Sequence, residues 1–292
     1  MFDLRLDELN REQYLVNGEL VDEGALPHPL RNRGFQYADG FFETIRVAHG
    51  VPQHLALHFG RIQDSCRAYR MDVPGNWTAE WFFQRLLSLA RGNRISEGGR
   101  IRLTFFRGGG GRYTPESDEV MWVGEAEALE HNEFKLNENG YRVDIFPEMR
   151  KPLDHVANFK NLSCGLYVQS ALWAREREFE EALITNTRNH VIESTRSNLF
   201  LVSNGVLYTP GLDSGTTGGV MRAAVARIAG GNGYKVYECD LSPQELLRAD
   251  ELFLTNAIRG IQWVSSYRTK RYFHTTSSHL LQLLNASLTS PV

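Results

Sequence analysis

The chain has 292 residues, 42% of them hydrophobic, with a formal charge of −3, so it can bury one large or two smaller cores and carries no global basic field for nucleic acid. Cys66, Cys164 and Cys239 lie far apart, without the paired spacing of a disulfide framework or a zinc site, and no metal centre is expected. The first ten residues lack an apolar signal core and no run approaches the ~20 apolar residues of a membrane span, so a cytoplasmic protein with reduced thiols is expected.

The first half alternates strands and helices. Residues 14–21 place apolar positions on both sides of Asn17-Gly18, a hairpin-turn dipeptide. F-F-E-T-I-R-V over 41–47 reads as a strand that turns at His49-Gly50 into an extended segment over 53–57. A helix is expected over 58–69 and a second over 78–91, with Thr78 as N-cap. Residues 100–106 and 119–123 read as paired strands joined by a loop beginning R-G-G-G-G-R-Y-T-P. Over 125–140 the apolar periodicity fades into Asn and Glu, which marks an interdomain connection. The expected division is a small domain over 1–128, a linker over 129–137 and a larger domain over 138–292.

The second half opens with a strand over 141–146 and a helix over 163–177. Strands follow over 182–185, 190–192 and 198–202, with turns at Arg188-Asn189 and Asn204-Gly205 into 206–208. A helix over 220–230, a strand over 234–239, a helix over 243–249 and a strand over 251–254 complete the assignments. The fold class is α+β, or mixed α/β, in two lobes, with sheets too rich in hairpins for a doubly wound fold.

Chemistry concentrates between residues 158 and 198. Lys160 stands in N-F-K-N-L between strand and helix signals, with Phe159 and Leu162 beside it. Most lysines are solvated surface charges, but partial burial lowers an amine's pKa and frees it to add to carbonyls. Glu193, in V-I-E-S-T-R-S-N-L-F, is either an outward charge or a carboxylate suited to hold a proton on a pyridine nitrogen. Together they suggest pyridoxal phosphate. S-G-T-T-G-G-V-M-R, residues 214–222, opens a helix with small residues, and N–H groups at a helix start bind phosphate; such turns also occur without any ligand. Thr255-Asn256-Ala257 follows a strand as a second phosphate-facing loop or a plain polar turn. Arg61 is a bidentate phosphate partner or a helix-surface arginine. The Arg107 loop suits a substrate carboxylate or is a mobile hairpin loop, and no G-K-[ST] follows to make it a P-loop. Glu43 is read as a strand carboxylate that can simply face outward.

In order along the chain, R-G-F-Q-Y-A-D-G-F-F-E-T-I-R-V, H-F-G-R-I, N-F-K-N-L, V-I-E-S-T-R-S-N-L-F, G-G-V-M-R and E-L-F-L-T-N-A resemble the class IV aminotransferases, the fold-type IV pyridoxal phosphate enzymes. The resemblance runs over about residues 14–267. It implies a two-domain enzyme with hairpin-rich sheets and flanking helices, usually a homodimer. By it, Lys160 is the Schiff-base lysine and proton shuttle, Glu193 pairs with the ring nitrogen, and Arg61 binds the cofactor phosphate. Gly219, Val220 and Met221 cap that phosphate at the helix start, and Asn198, Asn256 and Ala257 complete the cofactor site. Phe42, Arg107 and Thr255 face a small substrate bearing an amine and a carboxylate.

Two positions depart from many transaminases. Met221 stands where a threonine is common, and Ala257 stands where another hydroxyl meets the phosphate, so Thr255 or Asn256 has to compensate. G-x-M-R, N-A after E-L-F, and the glycine-rich arginine loop look like aminodeoxychorismate lyase, which forms 4-aminobenzoate for folate biosynthesis and releases pyruvate. The lyase is therefore the expected activity. An amino-acid transaminase for branched-chain or D-amino acids, with a 2-oxoglutarate-type acceptor, is the alternative, and a non-catalytic pyridoxal phosphate binder is the remote one.

Overall fold

The structure is a computed structural model that describes residues 12–27 and 32–288; the N-terminal decapeptide read above lies outside the described residues. The chain divides into two units, one running to Asn132 and one from Glu133 to Leu288. Each is organised around its own sheet.

In the first unit, Asn17 and Gly18 both take positive φ, 50° and 98°, and join β1 (Gln13–Val16) to β2 (Glu19–Asp22). A two-residue turn of that hand matches strand twist, and glycine takes the second position without a steric cost. β3 (Gly40–Ala48), β4 (Val51–Pro52), β5 (Gly99–Arg107) and β6 (Val120–Ala128) complete an antiparallel sheet of order β2-β1-β6-β5-β3-β4. Ile101, Leu103 and Phe105 alternate inward on β5 and join Ile45 and Trp122 in one buried cluster. Among the described residues, α1 (Arg33–Tyr37) precedes β3, and α2 (Leu55–Ala68) and α3 (Ala79–Gly92) follow β4. Thr78 caps α3 by accepting from the Trp81 N–H at 3.0 Å. Phe82, Leu86 and Leu89 form its buried stripe, each contributing about 1.5–3 kcal/mol by burial.

Two boundaries differ from the sequence reading. The extended segment expected over 53–57 gives way to α2 at Leu55, because β4 ends at Pro52. β6 runs on to Ala128, into the stretch read as a connection. There Arg100 meets Glu127 and Arg102 approaches Glu125 from β5, so the polar residues form the outer face of a strand.

The second unit holds a mixed sheet. β7 (Tyr141–Ile145) lies parallel to both β8 (Glu181–Thr185) and β14 (Gly260–Tyr267). Antiparallel to their neighbours are β9 (Val191–Ser194), β10 (Asn198–Ser203) and β13 (Glu251–Asn256), whereas β11 (Val206–Thr209) pairs antiparallel with β10 and parallel with β12 (Val236–Glu238). The sheet order is β12-β11-β10-β13-β14-β7-β8-β9, and β15 (Lys270–Arg271) hangs on β14. β9 also pairs with β10, so six strands close into a ring. Glu193 is opposite Asn198 and Asn198 is opposite Thr255. Directly paired residues share a sheet face, so these three form one polar row across the closing seam.

Helices α4 (Gly165–Glu176), α5 (Val220–Gly231) and α6 (Pro243–Arg248) lie close to their expected positions. The mixed α/β class with two sheets and flanking helices agrees with the sequence reading. Thr255 and Asn256 belong to β13 rather than to a loop after it, and β14, β15 and α7 (Thr275–Ala286) were not assigned from sequence. Among the described residues no helix is long and apolar enough to cross a membrane.

Candidate active site

Glu193 is fully enclosed because every residue of β9 is buried. Its carboxylate is nonetheless well supplied with donors. Oε1 accepts from Lys151 Nζ and from the Tyr167 hydroxyl, both at 2.7 Å. Oε2 accepts from the Thr217 backbone N–H at 2.7 Å. Burial pushes this carboxyl up, but the charge and hydrogen bond of Lys151, with the Thr217 and Tyr167 donors, outweigh it and hold the group below the ordinary carboxylate range. Burial and the Glu193 charge raise Tyr167, so its hydroxyl stays a neutral donor. The outward-charge reading of Glu193 is therefore set aside.

The loop before α5 forms a cradle beside this carboxylate. Asn198 Nδ2 donates to Thr216 Oγ1 at 3.2 Å and to the Thr217 carbonyl at 2.7 Å. A Cβ on Gly219 would stand 1.8 Å from Asn198 Oδ1, so a larger residue at this helix start would displace the Asn198 amide. Val220 and Met221 follow as the first helical residues, both buried. Arg222 turns away to Glu238, the Pro210 carbonyl and Thr209, where it anchors the helix.

Thr255, in the polar row with Asn198, is buried and its Oγ1 has no hydrogen-bond partner among the described residues. Asn256 is already employed: Nδ2 donates to Ser197 Oγ, and Oδ1 accepts from the N–H groups of Ile258 and Arg259. Of the two candidates to compensate for Ala257, Thr255 thus carries the unused hydroxyl. A buried unpaired hydroxyl costs free energy unless a ligand meets it.

Lys160 is half-buried. Two residues earlier, Asn158 is stitched to the same loop: its Nδ2 donates to the carbonyls of Leu212 and Thr216, and its carbonyl accepts from the Gly218 N–H. The lysine segment and the cradle are therefore one construction. Lys151 and Tyr167 have no sequence assignment, and Thr217, expected as a hydroxyl donor in the small-residue loop, meets Glu193 through its backbone N–H instead; each acts on a partner more than 20 residues away, and no local pattern reports such pairs.

The first unit carries its own buried polar cluster. Glu43 points inward, contrary to the outward reading, and its two oxygens take Arg61 Nε and Nη2 at 2.7 Å each. His58 Nδ1 lies 2.7 Å from Oε2. Burial raises this carboxyl, but the charge of Arg61 and the hydrogen bonds from His58 and Arg61 bring it down to about 2 from an ordinary 4.5. A depressed carboxyl contributes stability that is full above its unfolded value and is lost as pH falls through the folded one. Urea midpoints of the wild type should therefore fall between pH 4.5 and about 2 by about 3 kcal/mol more than those of Glu43→Gln. Parallel pH curves for the two proteins would contradict this assignment.

Phe42 lies under Arg102, whose guanidinium carbon is 4.0 Å from the ring centroid. Arg107 donates to Asp39, to Asp118 and to the carbonyls of Tyr69 and Arg70. Arg33 shares Asp39 and donates to the carbonyls of Gly110, Gly111 and Arg112. The glycine-rich loop is thus clamped at its root and along its length.

Residues 40–267 match the family Amino-transferase class IV. The chain belongs to amino-transferase class IV. It is 30% identical over 242 residues to the aminodeoxychorismate lyase of Vibrio harveyi, covering 81% of this chain and 86% of that one. Over 250 residues it is 31% identical to a Methanocaldococcus jannaschii protein assigned provisionally as a branched-chain-amino-acid aminotransferase, with 84% of each chain covered. The branched-chain aminotransferase of Thermoproteus uzoniensis superposes with a TM-score of 0.83 at 24% identity, over 94% of this chain and 93% of that one. Class IV aminotransferases are fold-type IV enzymes that depend on pyridoxal 5′-phosphate. The residues present fit that cofactor: a buried ionised carboxylate, a buried Thr255 hydroxyl unpaired among the described residues, and a helix start kept open by Gly219.

Proposed function

We propose that this class IV enzyme transfers the amino group of an amino acid to a 2-oxo acid, with Lys160 as its catalytic residue. The observation that carries the reading is the buried Glu193, kept ionised by three donors. Bound pyridoxal phosphate supplies a carbonyl that condenses with amines and a ring that takes up the electrons left when a proton departs. Glu193 holds a proton on the ring nitrogen. Lys160 would move the proton at the amine-bearing carbon, one amine serving as base and then acid. The Val220 and Met221 N–H groups and the Thr255 hydroxyl hold the phosphate, with Gly219 and Asn198 shaping the loop around it, whereas Arg61 is committed to Glu43. Asn256 and Ala257 shape the turn beside the cradle. In the same reading the enzyme is a cytoplasmic homodimer.

Elimination of pyruvate from aminodeoxychorismate is the second reading. Met221 and Ala257, which bring no hydroxyl, favour it, as does the Vibrio harveyi relative. Transamination is placed first because two features that point to the lyase already have other work. Arg107 is engaged by two carboxylates and two carbonyls, and Asn256 is engaged by its own turn. The test offers purified enzyme a panel of L- and D-amino acids with 2-oxoglutarate and, separately, aminodeoxychorismate. Formation of glutamate with the matching oxo acid is expected. Release of 4-aminobenzoate and pyruvate, with no glutamate from any amino acid, would replace the first reading by the second.

A further inference from the structure

Lys151 lies outside all the motifs that the family resemblance uses. Its backbone is fixed first: the N–H donates to the Thr185 carbonyl at 2.9 Å, and the residue bridges to Asn186 beyond the end of β8. Its Nζ then reaches Glu193 Oε1 at 2.7 Å and Thr217 Oγ1 at 3.2 Å, 5.7 Å from the Tyr167 ring centroid. The two side chains are 6% and 3% exposed. Burying an ammonium has a desolvation cost of several kcal/mol, and this one stands against the carboxylate assigned to the ring nitrogen.

We propose that Lys151 is a positioning residue that keeps Glu193 ionised and aimed before the cofactor arrives. The ring nitrogen then enters with its own proton and meets a charge already in place. This rests on the reading in which Glu193 faces that nitrogen.

The argument is one of charge and proton count. Without Lys151, the donors that remain to Glu193 among the described residues are neutral, the Tyr167 hydroxyl and the Thr217 N–H. Burial then favours the protonated acid. A protonated Glu193 has to lose its proton when the protonated ring binds, so binding releases a proton that the wild type does not release. Affinity therefore acquires a pH dependence it lacks when Lys151 is present. The titratable groups that act on Glu193 are Lys151, from the segment before α4, and Tyr167, from α4 itself; Cys164 acts on Tyr167. Titrations of the cofactor are common to wild type and variant and cancel in their ratio.

The test measures the Kd of pyridoxal phosphate for the apoprotein by tryptophan fluorescence from about pH 5.5 to 8.5. The ratio of Kd for Lys151→Met to that of the wild type should grow by up to about tenfold per unit as pH falls below the raised carboxyl value. Lys151→Arg should restore the wild-type profile, and Glu193→Gln in the Lys151→Met background should abolish the slope. A ratio constant at every pH would mean that Lys151 only packs, and would overturn the proposal. If thermal melting shows that Lys151→Met does not fold, Lys151→Gln carries the same expectation. Wild-type protein that fails to bind pyridoxal phosphate would overturn the reading of the site instead, a distinguishable result.

Discussion

Glu193→Gln should lower turnover by about 10²–10³-fold and destabilise the fold at the same time. The amide cannot accept the charge of a protonated ring nitrogen, so the electrons released at the reacting carbon lose their most favourable destination. The structural effect has a separate origin. Lys151 loses its counter-ion while remaining buried, and breaking a buried pair from one side costs about 3–5 kcal/mol. Steady-state rates and urea midpoints read the two effects independently. Wild-type turnover in a folded Glu193→Gln protein would remove this carboxylate from the chemistry.

Lys160→Ala should have the largest effect on activity. In the proposed function one side chain supplies both the covalent tether and the proton shuttle, so its loss should lower turnover by about 10⁴-fold or more, given about 10²–10⁴ for proton transfer alone. Added methylamine should restore a measurable part of the rate. Lys151 is poorly placed to substitute, because its ammonium is committed to Glu193 and Thr217. A Lys160→Ala enzyme with near-wild-type turnover would shift the chemistry to another amine.

Which parts were legible from sequence follows from the range of each interaction. The turns at Asn17-Gly18 and Asn204-Gly205 are local, and their positive φ values appear where the dipeptides stand. The stripe of α3 and its Thr78 cap are equally local. β6 extends past the expected end because its outer face is satisfied by Arg100 and Arg102 on β5, a cross-strand fact that periodicity does not carry. Glu43 in F-F-E-T looked like an outward charge because its partners Arg61 and His58 sit on the next helix. Lys151 shows the limit most plainly. Nothing in M-R-K-P-L sets it apart, and it acquires a role only when the ring of strands brings Glu193 to it across 42 residues. Residues beyond Ala257 gave no assignment, although β14 sits in the middle of the second sheet.

The central claim is that Lys160 is the amine joined to the cofactor. Enzyme saturated with pyridoxal phosphate should be reduced with borohydride, digested and mapped by mass spectrometry. The phosphopyridoxyl mass should fall on the peptide carrying Lys160 and on that residue alone. Label on Lys151, or protein that emerges unlabelled, would contradict it.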